Sequence, residues 1–294
     1  GCGRCDMMCP MGINISELIN VVRNGIASAG LAPKEIQSLQ DEQQNRNSLF
    51  GVGADKLREL VGQLKSRQIE IPLDKAKADV LVLTTAVDVL LFNDALAALA
   101  RIMNRSGANW TLSSAVFEAA NVGLISGDSA AEAKAIRRIV EQAKAVGAKT
   151  VVIPESGHAY QALRWEGAED TGAELPFEVL AASEFIAREL DAGRVKLKKS
   201  ENGRSVSYHD PCRLGRHGGV YEEPRRLLDA MGIERRETDS SRRENYCCGG
   251  GCSEYVIARA APLRQKAFEI KKREFDNAAA DAVVGGVGRP QDDR

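Results

Sequence analysis

The sequence has almost no net charge, no long apolar run and no recognisable leader. Its 40 Lys and Arg residues nearly balance its 41 Asp and Glu residues, which gives a formal net charge of -1. This balance provides no electrostatic reason to expect nucleic acid or an anionic membrane surface as a partner. No segment approaches the roughly 18 uninterrupted apolar residues that a membrane-spanning helix needs. Because no signal peptide is visible, we expect a cytoplasmic protein.

The sequence also lacks the motifs of nucleotide-binding sites and a cysteine pattern typical of disulfide-bonded proteins. The glycines at 249–251 do not fit the G-x-G-x-x-G pattern, and no FAD or NAD fingerprint is present, so any hydride chemistry must reside on another subunit. The seven cysteines form two tight groups, one near each end of the chain. An odd count in that arrangement is a poor disulfide framework for a chain of this size. Clustered thiols without a secretion signal instead indicate a reducing compartment and a bound metal.

The first cysteine group lies in the opening segment GCGRCDMMCP. Cys2, Cys5 and Cys9 have the spacing C-x2-C-x3-C, and Pro10 follows directly. Both intervals and the proline match the end of the bacterial ferredoxin run C-x2-C-x2-C-x3-C-P, in which the cysteine before proline ligates the other cluster. We therefore expect a first cysteine upstream of Gly1, with the sequence starting inside the motif. A zinc ribbon would need a second C-x2-C pair, so the spacing favours a [4Fe-4S] cluster over zinc or buried structural cysteines.

Strands alternating with helices organise the rest of the chain. An apolar strand, a helix, a short strand, a long helix and a final strand occur twice between residues 76 and 290. This alternation predicts an α/β fold with largely parallel strands and two pseudo-symmetric repeats. We expect a helical module at 1–75, a first repeat at 76–190 and a second repeat at 191–294. The segment PFEVLAASEFIARELDAGRVKL is predicted to be a helical linker between the repeats.

The second cysteine group belongs to the second repeat. Cys212 follows its first strand, and Cys247, Cys248 and Cys252 lie in the loop segment CCGGGC. Loops at the ends of parallel strands meet at one edge of a sheet, where such folds place their sites. The residues leave four interpretations open: an iron–sulfur cluster, a catalytic thiol, a zinc site, or buried structural cysteines. Glycines beside the thiols favour the cluster, because they let backbone N–H groups approach sulfur.

The motifs DPC and CCGGG resemble the cysteine-rich CCG domain of heterodisulfide reductase-type iron–sulfur proteins. The segments ESGHAYQALRWEG and SYHDPC are most similar to the D-like branch, and the resemblance covers essentially the whole chain. It implies a ferredoxin-like helical module followed by two CCG-type domains, of which the first has lost its cysteines. It also implies that Cys212, Cys247 and Cys248 hold a noncubane [4Fe-4S] cluster. The family's final C-x2-C would fall near Val287 and Pro290 and is absent, which makes Cys252 the remaining candidate ligand.

Three further residues are candidates for supporting the clusters. His209 either hydrogen-bonds a cluster sulfur, passes a proton, or caps the strand end. Glu155 and His158 occupy the first-repeat positions of the lost C-x2-C, so they either complete a metal site or form an ordinary polar contact. Four arginines flank the second cysteine group and either offset cluster charge or form a solvated rim: Arg213, Arg216, Arg242 and Arg243.

The resemblance implies a non-flavin iron–sulfur subunit of a multi-subunit oxidoreductase. We expect it to pass electrons between a flavoprotein dehydrogenase or electron-transfer flavoprotein and a quinone, membrane or disulfide acceptor. A membrane quinone-reactive subunit would place the chain at the inner face of the membrane. Two alternatives remain open: a catalytic heterodisulfide reductase subunit, and a scaffold subunit whose second cysteine site is empty.

Overall fold

The structure is a computed structural model that describes residues 1–154, 156–250 and 254–285. These residues form two compact units. One unit combines Gly1–Val22 with the chain from Leu197 onward, and the other is Arg23–Lys196. The predicted module at 1–75 is therefore divided between the two units, and the predicted boundaries after residues 75 and 190 remain predictions.

The regular elements are short strands and mostly amphipathic helices, numbered in chain order. The α-helices are α1 (Arg4–Met8), α2 (Ile15–Ser28), α3 (Lys34–Arg46), α4 (Ala54–Ser66), α5 (Ala86–Leu91), α6 (Asn93–Ser106), α7 (Val122–Ser126), α8 (Ser129–Val146), α9 (Gly157–Gln161), α10 (Gly167–Thr171), α11 (Ala182–Asp191), α12 (Glu222–Ala230) and α13 (Ala261–Ala278). The strands are β1 (Val80–Val82), β2 (Trp110–Thr111), β3 (Thr150–Ile153), β4 (Glu178–Ala181), β5 (Val206–His209) and β6 (Ala282–Gly285).

The unit Arg23–Lys196 contains a four-stranded parallel sheet with the order β2-β1-β3-β4. Its strands are short apolar runs, and Leu81 and Val151 in paired positions are fully buried. Strands buried on both faces are typical of a parallel sheet covered by helices. Asp128 fixes the start of α8, because its carboxylate accepts the Ala131 N–H at 3.0 Å. These elements confirm the predicted α/β class.

The predicted helical linker is wrong in its first part. Residues Glu178–Ala181 form β4, which pairs with β3 and completes the sheet, and only Ala182–Asp191 is helical. The strand is four residues long and leads directly into the helix. A short apolar run of this kind fits either structure by periodicity, so burial beside β3 decides its conformation.

The unit that contains both chain ends has a two-stranded parallel sheet of β5 and β6. A single parallel bridge joins Val206 to Arg235 on the other side of β5. The segment at Arg235, β5 and β6 therefore lie side by side in the same order as β2, β1 and β3 in the other unit. Glutamates start α12, and α13 leads into β6. The sheet ends beside residues 210–212, where β5 gives way to the first loop of the second cysteine group.

No helix within residues 1–154, 156–250 and 254–285 is both long and apolar enough to cross a membrane.

Candidate metal centre

Six of the seven cysteines lie in the described part of the chain, and none of the six forms a disulfide: Cys2, Cys5, Cys9, Cys212, Cys247 and Cys248. Cys252 lies outside the described residues, as do Val287 and Pro290 at the expected place of the family's C-x2-C. Thiol sulfur is a soft ligand that selects iron–sulfur clusters or zinc. The donor chemistry of the chain therefore fits the expected clusters. Within the described ranges, no three Cys, His, Asp or Glu side chains converge tightly enough to form a preassembled ion site.

Cys212 is placed by the end of β5. It directly precedes a π-helix formed by Arg213–His217, and its carbonyl accepts the His217 N–H at 3.1 Å. Single π-turns occur frequently at functional sites, since they redirect a side chain relative to an α-helix. The Cys212 thiol faces Cys247 closely enough to contribute to raising the pKa of the Cys247 thiol. The predicted loop ends are thus brought together for these two cysteines.

Gly249 determines how the CCGGG loop packs. Its N–H donates to the Cys247 sulfur at 3.3 Å, as expected of a glycine that brings backbone to a metal-binding thiol. Its φ of 72° lies in the left-handed region. A Cβ atom at this position would lie 2.4 Å from the carbonyl oxygen of Arg264 in the first turns of α13. The Arg264 Nε in turn donates to the Gly249 carbonyl at 3.2 Å.

The opening segment lies against this loop. The thiols of Cys2 and Cys247 share a hydrogen bond, which lowers the pKa of Cys2 and raises that of Cys247, because one proton serves both sulfurs. Arg216 supports the pair by donating to the Cys2 carbonyl at 2.7 Å. The Arg4 guanidinium stacks 3.8 Å from the centroid of the Tyr246 ring. The structure therefore brings one cysteine of the first group to the second group, a contact that the sequence analysis missed.

Cys5 and Cys9 occupy the outer part of the opening loop. Cys5 is exposed, and its thiol donates to an Asp6 carboxylate oxygen at 3.6 Å. Partial desolvation and the Asp6 charge raise the pKa of Cys5. Asp6 also accepts the Ser16 N–H at 2.7 Å, which ties the loop to the start of α2. Cys9 follows α1 and is half-buried.

A buried ion pair holds the loop that carries Cys212. Arg225 donates to both carboxylate oxygens of Asp210, at 2.7 and 2.9 Å, and it also binds Glu237 at 2.7 Å. Burial alone would lower the pKa of Arg225, but these two carboxylates raise it overall. Asp210 also accepts the Arg242 N–H at 2.6 Å. Its carbonyl accepts a hydrogen bond from the Asn245 side chain, two positions before Cys247.

His209 is the buried residue that ends β5. Burial, with Lys271 as a second cause, lowers the pKa of His209 to about 4, so the imidazole is neutral at physiological pH. Its Nδ1 has no hydrogen-bond partner among the described residues. A neutral ring with a free nitrogen fits a hydrogen-bonding role better than a proton carrier that must become charged.

The other two supporting candidates belong to the unit Arg23–Lys196. Glu155 lies outside the described residues. His158 is half-buried in α9, and its Nδ1 lies 3.3 Å from the Ser156 hydroxyl. Its role as a metal ligand stays a prediction. Of the four flanking arginines, Arg216 points into the site, whereas Arg242 pairs with Glu222 at 2.6 Å in a half-exposed position.

A buried carboxylate joins two loops of the unit Arg23–Lys196. Glu118 is buried, and its two oxygens accept the N–H groups of Ala86 at 3.0 Å and Ala120 at 2.9 Å. These positions follow β1 and β2, and the predicted duplication aligns them with the cysteine loops of residues 191–294. Burial raises the pKa of Glu118 to about 7, although both N–H bonds oppose that shift. The Gln43 side chain contacts the same loop, because its amide oxygen accepts the Val122 N–H at 2.9 Å.

The comparisons with known proteins agree with these features. The family "CCG: Cysteine-rich domain" matches residues 206–287, which include β5, the CCGGG loop and α13. The D subunit of dihydromethanophenazine:CoB--CoM heterodisulfide reductase from Methanosarcina mazei is 32% identical over 263 residues, covering 85% of this chain and 60% of that protein. EtfAB:quinone oxidoreductase of Syntrophomonas wolfei is 26% identical, covering 96% of this chain and 39% of that protein.

A third relative is the Hdr-like menaquinol oxidoreductase iron-sulfur subunit 2 of Archaeoglobus fulgidus. It is 22% identical, with 85% of this chain and 53% of that protein covered. The chain spans 60% of the length of the Methanosarcina relatives. No solved structure matches the chain. The resemblance expected from the sequence is confirmed: the chain contains a CCG cysteine-rich domain and is homologous to the D subunit of heterodisulfide reductase and to heterodisulfide reductase-like iron–sulfur subunits.

Proposed function

We propose that this chain is an iron–sulfur electron-transfer subunit of a multi-subunit oxidoreductase. The observation that carries the proposal is the contact between Cys2 and Cys247, which unites thiols of the two cysteine groups in one compact unit. Electrons could then move between the two groups along a short path through a single unit of the chain. Iron–sulfur clusters supply one-electron chemistry, and the protein supplies thiolate ligands, burial and hydrogen bonds that tune potential.

The ligand sets follow from spacing and position. Cys2 and Cys5 would hold one [4Fe-4S] cluster together with an upstream thiol, and Cys9 would ligate the other cluster of the ferredoxin-like module. In the CCG domain, a noncubane [4Fe-4S] cluster would be held by Cys212, Cys247, Cys248 and Cys252. The Gly249 N–H that meets the Cys247 sulfur supports this assignment, since such donors stabilise reduced clusters.

The chain would then carry one CCG site for two CCG-type repeats. Matching strand orders support the duplication at 76–190 and 191–294. In the first repeat, the Glu118 carboxylate accepts N–H groups from both loops that correspond to the cysteine loops. An internal anion of this kind satisfies the backbone donors that would otherwise face a cluster.

The partners are inferred from the relatives. One relative is named as an oxidoreductase between EtfAB and quinone, and another as a menaquinol oxidoreductase subunit. A flavoprotein donor and a quinone-reactive acceptor are therefore the partners that we propose. Six free thiols in the described part of the chain suit a reducing compartment, so we place the subunit in the cytoplasm, at the inner membrane face through its complex.

Heterodisulfide reduction at the CCG site is the second candidate function. It is supported by 32% identity to a protein named as part of a heterodisulfide reductase. The reaction would consume two electrons and two protons and break one S–S bond to give two thiols. Reduction of a small disulfide by the isolated complex, lost when Cys247 and Cys248 are replaced, would favour this function over electron transfer alone.

The deciding experiment measures iron, sulfide and zinc, together with EPR spectra, on the full-length protein purified without oxygen. The double variant Cys247→Ser/Cys248→Ser should lose about four irons, the content of one cubane-sized cluster, and one EPR signal. Cys5→Ser is the matched control, because it should perturb the other signal and leave this one. Unchanged iron and spectra in the double variant would mean that the CCG site is empty, and zinc in place of iron would exclude electron transfer there.

A further inference from the structure

Lys271 is a buried lysine in a helix that otherwise lies near the surface. It is 0% exposed and is the only buried residue of α13, all of which the structure describes. Its Nζ has no hydrogen-bond partner among the described residues. An ammonium group without an acceptor is costly to remove from water, so its position calls for a negative charge nearby.

The two carboxylates that act on Lys271 within the described residues are already engaged with other partners. The ionisable groups around it in this part of the chain include Asp210, Glu274, Cys248 and Arg216, and His209 is also close enough to respond to its charge. Asp210 binds Arg225 through both oxygens. Glu274 accepts the N–H of Ser240 at 2.9 Å, in a hydrogen bond that fixes its carboxylate.

Cys248 is therefore the facing group that no described hydrogen bond commits to another partner. The remaining close contact of Lys271 is the Phe275 ring, whose centroid lies 4.6 Å from Nζ. The His209 ring meets the same Phe275 edge-on, at 6.1 Å between centroids. On this side of Nζ the aromatic ring and the neutral imidazole exclude water, so that a charge acts more strongly on its neighbours than it would in solvent.

The helix orients Lys271 along the cysteine loop. Arg264 and Lys271 are seven residues apart in α13 and so lie on the same helix face. Arg264 binds the Gly249 carbonyl, and the Gly249 N–H binds the Cys247 sulfur. The face of α13 that bears Lys271 thus borders the loop that carries both adjacent cysteines.

We propose that Lys271 is the buried counter-cation of the metal centre held by Cys247 and Cys248, and that its positive charge raises the reduction potential of that centre. When one electron arrives, the centre gains one negative charge, and Lys271 keeps its proton, so no bond forms or breaks. The inference rests on the proposed function, since it needs a redox-active centre at these cysteines. Lys271 acts here through charge and not as a ligand.

The test is an EPR-monitored redox titration of the full-length protein carrying Lys271→Met. Removal of the charge should lower the ratio of reduced to oxidised centre at a given potential by about tenfold, equivalent to a midpoint about 59 mV lower. Lys271→Arg keeps the charge and should stay close to the wild-type midpoint. The matched control is Lys272→Met, since Lys272 is 60% exposed and paired with Asp276 at 2.7 Å. This control should leave the midpoint unchanged.

The outcomes separate the inference from the proposed function. A wild-type midpoint in Lys271→Met, with the centre present, overturns the counter-cation and leaves the electron-transfer function intact. Loss of the centre from Lys271→Met but not from Lys271→Arg supports the inference, because the arginine keeps the positive charge that the methionine removes, whereas loss from both overturns it. An iron content that does not respond to Cys247→Ser/Cys248→Ser overturns the proposed function itself, and the inference with it.

Discussion

Arg225 and Asp210 form a two-pronged ion pair in which each side chain is only 1% exposed. The pair connects α12 to the residue that begins the DPC segment, two positions before Cys212. Asp210 also binds the backbone of Arg242, which leads into the loop of Cys247. One carboxylate therefore sets the relative positions of the two loops that supply the CCG thiols.

Replacement of Arg225 by Met should lower the free energy of unfolding by about 3–5 kcal/mol, because it leaves the buried Asp210 charge unpaired. Arg236→Met is the matched control, since Arg236 is 44% exposed in its pair with Glu234 and should contribute less than about 1 kcal/mol. Urea unfolding of both variants measures the difference. Equal midpoints for the two variants would contradict the structural importance of the buried pair.

Gly249→Ala should destabilise the protein by more than about 1 kcal/mol, because the residue has a positive φ and its Cβ would overlap the Arg264 carbonyl. We expect reduced iron in the CCG site as well. At Gly250 the one described atom within 4 Å of a Cβ would be the Cys248 sulfur, at 3.6 Å. Gly250→Ala is therefore the control and should retain iron. Equal iron loss in both variants would mean that the glycines act through something other than this close approach.

The free energy of unfolding should fall as pH rises from the pKa of Glu118 in the unfolded chain to its pKa in the folded protein. The pKa of Glu118 is raised from 4.5 to about 7 by burial, so between these values the folded state binds more protons than the unfolded state. Glu118 stabilises the folded state fully below pH 4.5, and this contribution is lost as pH approaches 7. At 1.36 kcal/mol per pKa unit, the free energy of unfolding falls by about 3 kcal/mol over this range. Burial raises the pKa of the facing Asp88 as well, which adds in the same direction.

Glu118→Gln should flatten this pH dependence, because the amide does not titrate. The control is Glu141→Gln, an exposed position on α8 that should leave the slope unchanged. Chemical unfolding at several pH values between 4.5 and 7.5 gives both slopes. A Glu118→Gln variant that keeps the full wild-type slope would refute the assignment of this titration to Glu118.

Ala279→Gly should stabilise the unit containing both chain ends by about 0.5–1 kcal/mol. Ala279 ends α13 with φ 50° and ψ 37°, a left-handed conformation that costs an alanine more than a glycine. Ala278→Gly places the same residue inside the helix, where it should cost about 1 kcal/mol. Opposite shifts of the thermal unfolding midpoint are expected for the two variants, and a lower midpoint for Ala279→Gly would contradict the argument.

The sequence was sufficient to predict the α/β class, because that class depends on local patterns, whereas the shared metal site of Cys212 and Cys247 stays a prediction. Strand β4 was missed because a four-residue segment with three apolar residues before a helix fits the helical period equally well. The Cys2–Cys247 contact was missed because spacing carries no information across such a long separation. Lys271 lies in the charged segment IKKREFD, so nothing in its sequence distinguishes it from the exposed Lys272. Only packing identifies which of the two is buried.

The joining of both chain ends in one unit has a consequence for biosynthesis. Arg4 and Asn245 meet across 241 positions of sequence. A ribosome adds about 5–20 residues per second, so Cys2 emerges roughly 10–50 s before the CCG loop follows it. The Arg23–Lys196 unit can fold within that interval, while the opening thiols wait without their partners. A metal held at both thiols would therefore be loaded late, and Cys2 stays without its partner until the CCG loop has been made.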